Sequence, residues 1–372
     1  MSQFKQTQTA KFLAKLALAL MSAAAIAAPA QTIIKFNAPG AGTGHGQGTV
    51  GGAINNGGTI AGYYIDSGGV DHGFVRASSG KITSFDAPGA GSGFNEGTIS
   101  RAINTAGVIA GYSIDSGGVN HGFVRATSGA ITVFDAPGAG TGFGQGTIAY
   151  SINTGGAISG FYADSGGVRH GYVRAANGTI TTYDVTGAGT LKSEGTTGFG
   201  INTAGTVSGY IIDQGGVVHG FVRTSSGTAT VYDAPGAGSG TLQGTAGGAI
   251  NTAGMVTGIY IDSASVAHSY VRAANGTITD FSVPGAGTSF GQGTQGDWIN
   301  TSGVTSGYYS DSAGVYHSYG RTPTGQILTF SVPGAGTNLG QGTLATTIND
   351  SNQVAGSYID AGGVYHGFAA AK

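Results

Sequence analysis

Apolar and polar residues alternate in short runs along most of the chain, and the runs return at a fixed step. Thr98–Asn104 (TISRAIN), Val108–Asp115 (VIAGYSID), Val119–Ala126 (VNHGFVRA) and Ala130–Asp135 (AITVFD) show the pattern. Each run is rich in Val, Ile, Tyr or Phe and ends at Gly, Asn or Ser. Such runs predict antiparallel strands joined by hairpins. The step is set by Ile-Asn, which recurs at Ile54, Ile103, Ile152, Ile201, Ile250, Ile299 and Ile348, always 49 residues on. No segment after the first 30 residues keeps a 3.6-residue apolar period, so no helix is expected there.

Four strands in 49 residues is the size of a propeller blade. The first predicted strand, Thr32–Asn37, is a lone fourth strand, and the last, Val364–Ala369, is a third. Together they complete one blade. The expectation is therefore all-β: a seven-bladed β-propeller over residues 31–372 with four antiparallel strands per blade. The N-terminal strand would close the ring by completing the last blade, which removes free sheet edges. On the second strand Gly62, Gly111, Gly160, Gly209, Gly258, Gly307 and Gly356 share one register, and Phe74, Phe123, Tyr172, Phe221, Tyr270, Tyr319 and Phe368 share another on the third. Glycine inside a strand marks a close approach, so these rings are expected to fill the space it leaves, as core.

Composition adds location and excludes some partners. Lys5, Lys11 and Lys15 precede an apolar run, Leu16–Met21, and the stretch ends Ala28-Pro29-Ala30. Residues 1–30 are thus expected to be a secretory signal peptide cleaved near Ala28–Ala30, and the protein to be secreted or periplasmic, with no transmembrane segment in the mature chain. There is no Cys, so packing and backbone pairing must hold the mature chain together. Without those three lysines, 12 basic groups remain against 17 acidic ones, a net charge of about −5. That leaves no footprint for nucleic acid. A monomer without cofactor or metal is expected.

The pattern INTAG-x-I-x-G-Y-x-x-D-x-x-G-V-x-HGFVRA resembles the bacterial extracellular HAF repeat family, named after a His-Ala-Phe tripeptide. The tripeptide here is His72-Gly73-Phe74 in the first copy, HGY at His170, and HSY at His268 and His317. Its middle residue departs from Ala in every copy. The resemblance covers all seven repeats and implies a secreted, propeller-like protein; it implies no activity and no catalytic residue.

Seven of the eight His share one register, from His72 to His366, six residues after Asp66 through Asp360. Residues needed identically in every copy are read as fasteners: the Asp caps a turn, and the His ties its strand to a neighbouring loop. Arg76, Arg125, Arg174, Arg223, Arg272 and Arg321 are read as exposed strand arginines whose stems cover apolar surface. A single functional site must come from residues that break the symmetry. One innermost-strand position reads Gly52, Arg101, Tyr150, Phe199, Gly248, Asp297 and Thr346, and the only tryptophan, Trp298, follows Asp297. Arg101, Tyr150, Asp297 and Trp298 are the candidates for a polar-aromatic pocket near a central channel. A ring of Gln47, Glu96, Gln145, Glu194, Gln243, Gln292 and Gln341 precedes the innermost strands, and Glu96 and Glu194 join the candidates at the channel mouth. His45, Phe94, Phe143, Lys192, Thr241, Phe290 and Leu339 lie two positions earlier.

The function expected from these features is binding or scaffolding: recognition of an extracellular ligand or partner at the channel mouth or loop rim. The alternative is a carbohydrate-binding, lectin-like propeller with the Gln/Glu ring supplying hydrogen bonds. A lyase or hydrolase in the channel ranks third, because Glu96, Glu194 and Asp297 belong to separated copies and acid–base work needs two groups on one substrate. No catalytic residue is assigned.

Overall fold

The computed structural model describes residues Thr32–Ala371, with the side chain of Asp297 left out. The predicted signal segment 1–30 lies outside the described residues. Among these there are 28 strands and no helix. The architecture is an all-β, closed, propeller-like ring. It is carried by 21 strands of six or seven residues, three per repeat, such as Gly97–Ile103, Ile109–Ile114 and Asn120–Arg125. The expected blade of four antiparallel strands is corrected here: the ring carries three strands per repeat. The fourth segment is a short outer strand, Ile131–Phe134 in the second repeat, paired to the third over four residues. It lies at the sheet edge with no strand beyond it, and Pro137-Gly138 soon turns the chain inward.

Neighbouring repeats are joined at Asp71↔Gly97, Asn120↔Gly146 and their counterparts round to Tyr365↔Gly48. Strand Thr32–Phe36 pairs with Tyr365–Ala371, so the two ends of the described chain meet within the sheet.

The second-strand glycines do what the pattern predicts. A Cβ on Gly111 would meet the Ile99 carbonyl and sit 2.8 Å from Phe123 Cζ. Phe123 is fully buried, as are its six counterparts. Each of these rings meets, edge to face, an aromatic of the preceding outer strand: Phe85–Phe123 at 6.0 Å, and Phe36–Phe74 at 6.0 Å across the meeting point of the ends. The recurring arginines use the other side of that aromatic. Arg125 Cζ lies 4.7 Å from the Phe85 ring centre and Arg76 Cζ 4.9 Å from that of Phe36. The expectation of exposed arginines is therefore corrected: Arg76, Arg174, Arg272 and Arg321 are buried, clamped on a ring of the neighbouring repeat.

A second fastener runs round the channel. Asn104 Nδ2 donates to the Asn153 carbonyl at 3.2 Å, Asn153 to that of Asn202 at 2.9 Å, and so on until Asn349 reaches Asn55 at 3.0 Å. Each amide is donated across one repeat boundary, so the sequence step of 49 becomes a closed circle of hydrogen bonds.

Candidate functional site

The innermost strands carry a register shift at one place. In the second repeat Ser100 pairs with Gly111 and Ala102 with Ala110, leaving Arg101 as the extra residue of a β-bulge. The shift recurs between Ala149 and Ser151, Gly198 and Gly200, and Ala345 and Thr347. A bulge re-aims the side chain it frees, and here Arg101, Tyr150, Phe199 and Thr346 line one channel cavity of about 250 Å³. In the sixth repeat the shift spans Gly296 and Asp297. The bulge explains why this position varies among copies: its side chain is not needed in any blade core.

Trp298 borders the same cavity. Its counterparts are Ala53, Ala102, Ser151, Gly200, Ala249 and Thr347, so only the sixth repeat extends a large ring from this position. That ring lies 6.4 Å from Phe199, which comes from two repeats away. Phe199 stacks on Tyr150 at 5.1 Å, and Arg101 Cζ sits 5.1 Å from the Tyr150 ring centre. A cation and three aromatics thus run as a continuous surface. Tyr63, Ser100, Gln295 and Tyr308 complete the polar part, with the Tyr308 hydroxyl donating to Gln295 Oε1 at 2.8 Å. Ser100 Oγ is buried and has no hydrogen-bond partner among the described residues.

Burial pushes the Tyr150 hydroxyl up to about 12, with Tyr210 and Tyr112 adding to it and Arg101 and Arg169 opposing it. Asp71, close enough to act on both Tyr63 and Tyr112, has its carboxyl pushed up to about 6 by burial. This cavity holds aromatic faces, hydroxyls and one cation. The arrangement suits stacking and hydrogen bonding to a polar ring-shaped ligand.

The structure therefore brings Arg101, Tyr150 and Trp298 together. The Asp297 side chain lies outside the described residues, and only its place on strand Gly293–Ile299 is known. Glu96 and Glu194 stand elsewhere, in the loops entering the innermost strands. Glu96 Oε2 accepts from the Gly93 amide at 2.6 Å and Glu194 Oε2 from that of Leu191 at 2.9 Å. Their glutamine counterparts use both ends: Gln47 Oε1 accepts from Gly44 at 2.8 Å while Nε2 donates to the Ser67 carbonyl at 3.1 Å. The glutamines therefore tie the long loop to the second-to-third-strand turn on one rim, whereas Glu96 and Glu194 brace only their own loop.

Sequence reasoning set out the bulge position but passed over Phe199 as a site residue. It also missed Tyr63, Gln295 and Tyr308, which look like ordinary strand residues. The available signal was variation among copies: Tyr63, Tyr112, Phe161, Tyr210, Ile259, Tyr308 and Ser357 form one register.

The repeated Asp and His occupy fastening positions. Asp115 Oδ1 accepts from the Gly117 and Val119 amides at 2.8 and 2.9 Å. His121 Nε2 is 3.4 Å from Asp115 and its Nδ1 is 3.1 Å from Asp135 at the end of the outer strand. Burial opposes the charge on His121, but hydrogen bonds and charge from Asp135 and Asp115 outweigh it and hold the imidazole above its ordinary value. In the fifth and sixth repeats Ser282 and Ser331 replace the outer carboxylate. On the same rim Phe94, Phe143, Phe290 and Leu339 are 76–90% exposed, forming an apolar crown.

No family model and no curated protein matches the chain. Solved structures do share its fold. The BP39L lectin from Burkholderia pseudomallei aligns at TM-score 0.53 and 12% identity over 83% of this chain and 91% of that one. A puromycin hydrolase S511A mutant complexed with PGG aligns at TM-score 0.50 and 11% identity, over 83% of this chain but only 50% of the hydrolase.

Proposed function

We propose that this is a carbohydrate-binding propeller whose site is the channel cavity between Arg101 and Trp298. The carrying observation is the aromatic surface Tyr150–Phe199–Trp298, assembled from three repeats and edged by Arg101, Ser100 and Gln295. Sugar rings present apolar C–H faces and hydroxyl edges, and this surface offers partners for both. A lectin is among the proteins that share the fold, but the cavity carries the argument. In this reading the seven repeats are seven blades, each finished by its short outer strand, and the single site breaks the symmetry. The protein is an exported HAF-type repeat protein in the same proposal, working outside the cytoplasm.

The test uses the lone tryptophan. Saccharide binding should quench or shift Trp298 fluorescence, and Phe199→Ala should weaken the binding at least tenfold, the order expected when a stacking ring is lost. A broad saccharide panel that leaves the fluorescence and the heat of mixing unchanged would falsify the proposal. A second reading, docking of a protein on the rim, is favoured by the exposed Phe94, Phe143, Phe290 and Leu339. Retention of a partner by the native protein but not by a Phe143→Ser, Phe290→Ser double variant would support it.

A further inference from the structure

The arginines of the repeat register are each committed to a ring of the neighbouring repeat. Arg101 and Arg169 are the two arginines outside that register. Arg101 Cζ lies 5.1 Å from the Tyr150 ring centre, Arg169 Cζ lies 5.3 Å from that of Phe161, and the two rings are 5.8 Å apart. Two guanidinium groups therefore flank one pair of touching rings. Among the described residues no carboxylate lies within 4.0 Å of either, since every ion pair found there is made by a repeat-register His. Both cations also act on the Tyr150 hydroxyl.

Arg169 stands at a side cavity of about 420 Å³ between the fourth and fifth repeats, and Phe199 lines both this cavity and the channel. The side cavity has a plain origin. Ala246 and Gly248 of the fifth repeat stand where the third has Ile148 and Tyr150, so side-chain volume is missing. Two residues lining it, Ser193 (φ 71°) and Leu242 (φ 61°), adopt the left-handed backbone that Gly46, Gly144, Gly291 and Gly340 adopt at the same position.

A guanidinium held flat on an aromatic ring still presents its N–H fork edgewise, the geometry that fits a carboxylate or sulfate. A half-buried guanidinium with no carboxylate partner among the described residues is a ready partner for an arriving anion. We infer that the ligand is an acidic saccharide: a sugar ring against Phe199 and Trp298 in the channel cavity whose carboxylate or sulfate is held by Arg101, with Arg169 beyond the Tyr150–Phe161 pair adding to the positive field. This rests on the carbohydrate reading and deepens it. The net acidic chain repels long polyanions, so the ligand is a short oligosaccharide with one or a few acidic groups.

The experiment titrates the full chain with three oligosaccharides of one linkage, as the uronate, its methyl ester and a sulfated form, following Trp298 fluorescence and heat. The uronate or the sulfated form should bind, and the methyl ester should bind roughly tenfold more weakly or worse, the loss expected for a charge-assisted pair. Arg101→Gln should weaken the acidic ligand by a similar factor, Arg169→Gln by a smaller one, and both should reduce the salt dependence of binding. Arg125→Gln, a repeat-register change, should leave binding unchanged. The ester comparison uses the native protein, so it stands even if an arginine variant fails to fold. Equal binding of ester, uronate and sulfated form overturns this inference and leaves the carbohydrate reading intact. Silence of all three, and of every neutral saccharide, overturns both.

Discussion

Replacing Asn104 by Ala removes two hydrogen bonds at once and strands a backbone group at the far end of each. Asn104 is 6% exposed; its Nδ2 donates to the Asn153 carbonyl at 3.2 Å and its Oδ1 accepts from the Val108 amide at 3.0 Å. Leaving a buried backbone group unpaired costs about 1–3 kcal/mol. The Val108 amide is only half-buried and can turn to water, so the pair predicts a loss of about 1–4 kcal/mol, a large part of the ~5–15 kcal/mol that holds a typical domain folded. Asn104→Asp separates the two bonds. It keeps an oxygen facing the Val108 amide but sets a carboxylate oxygen against the Asn153 carbonyl. Burial and that carbonyl would raise the folded-state pKa above the unfolded value of about 3.9. The penalty is then fully present above the raised pKa and relieved as pH falls below the unfolded one. Urea unfolding followed by circular dichroism measures both variants against Thr105→Ala, a change at an exposed neighbour in the same turn. The reasoning is refuted if Asn104→Ala costs no more than Thr105→Ala, or if Asn104→Asp matches the native protein at neutral pH.

Two further outcomes follow from the same geometry. Glu96→Gln should stabilise the protein by about 1 kcal/mol, because Gln145 in that position donates to the Ser165 carbonyl at 2.9 Å and a carboxylate has no donor for the equivalent bond; an unchanged or lowered urea midpoint would count against the loop-tie role. The turn carboxylates set an acid limit: a backbone hydrogen bond from Val119, opposed by burial and aided by Gly117 and His121, holds Asp115 below its ordinary range. Their contribution is present above the unfolded value near 3.9 and is lost as pH falls through the depressed folded value, whereas that of His121 is present below about 6.5 and lost as pH rises through its raised value. The urea midpoint should peak in roughly the pH 4–6.5 window, and a midpoint that climbs steadily from pH 6 to 9 would contradict this sign.

The repeat made much of the fold legible because its contacts recur at fixed sequence distances. Asp115 binds amides two and four residues on, and Phe123 fills the gap at Gly111. These are local matters of turn chemistry and strand alternation, so composition and spacing suffice to read them. The bulge position could also be found, because Gly, Arg, Tyr, Phe, Asp and Thr cannot all serve one core role. The commitments that cross a repeat boundary were hidden. Arg125 looks like a surface residue until Phe85 of the preceding repeat is placed beneath it. Glu96 and Glu194 look free until the loop amides that bond one oxygen of each are seen.

By itself the sequence determined the closed all-β ring and the places where its symmetry fails, since both are properties of one repeat compared with another. Tertiary structure alone decided that Trp298 faces Phe199 from two repeats away and that Arg101 and Arg169 flank one aromatic pair. Those meetings depend on the curvature of the ring and on which bulges point at the same stretch of channel. A linear period does not encode either, because it records the distance between copies along the chain and never the distance across the hole.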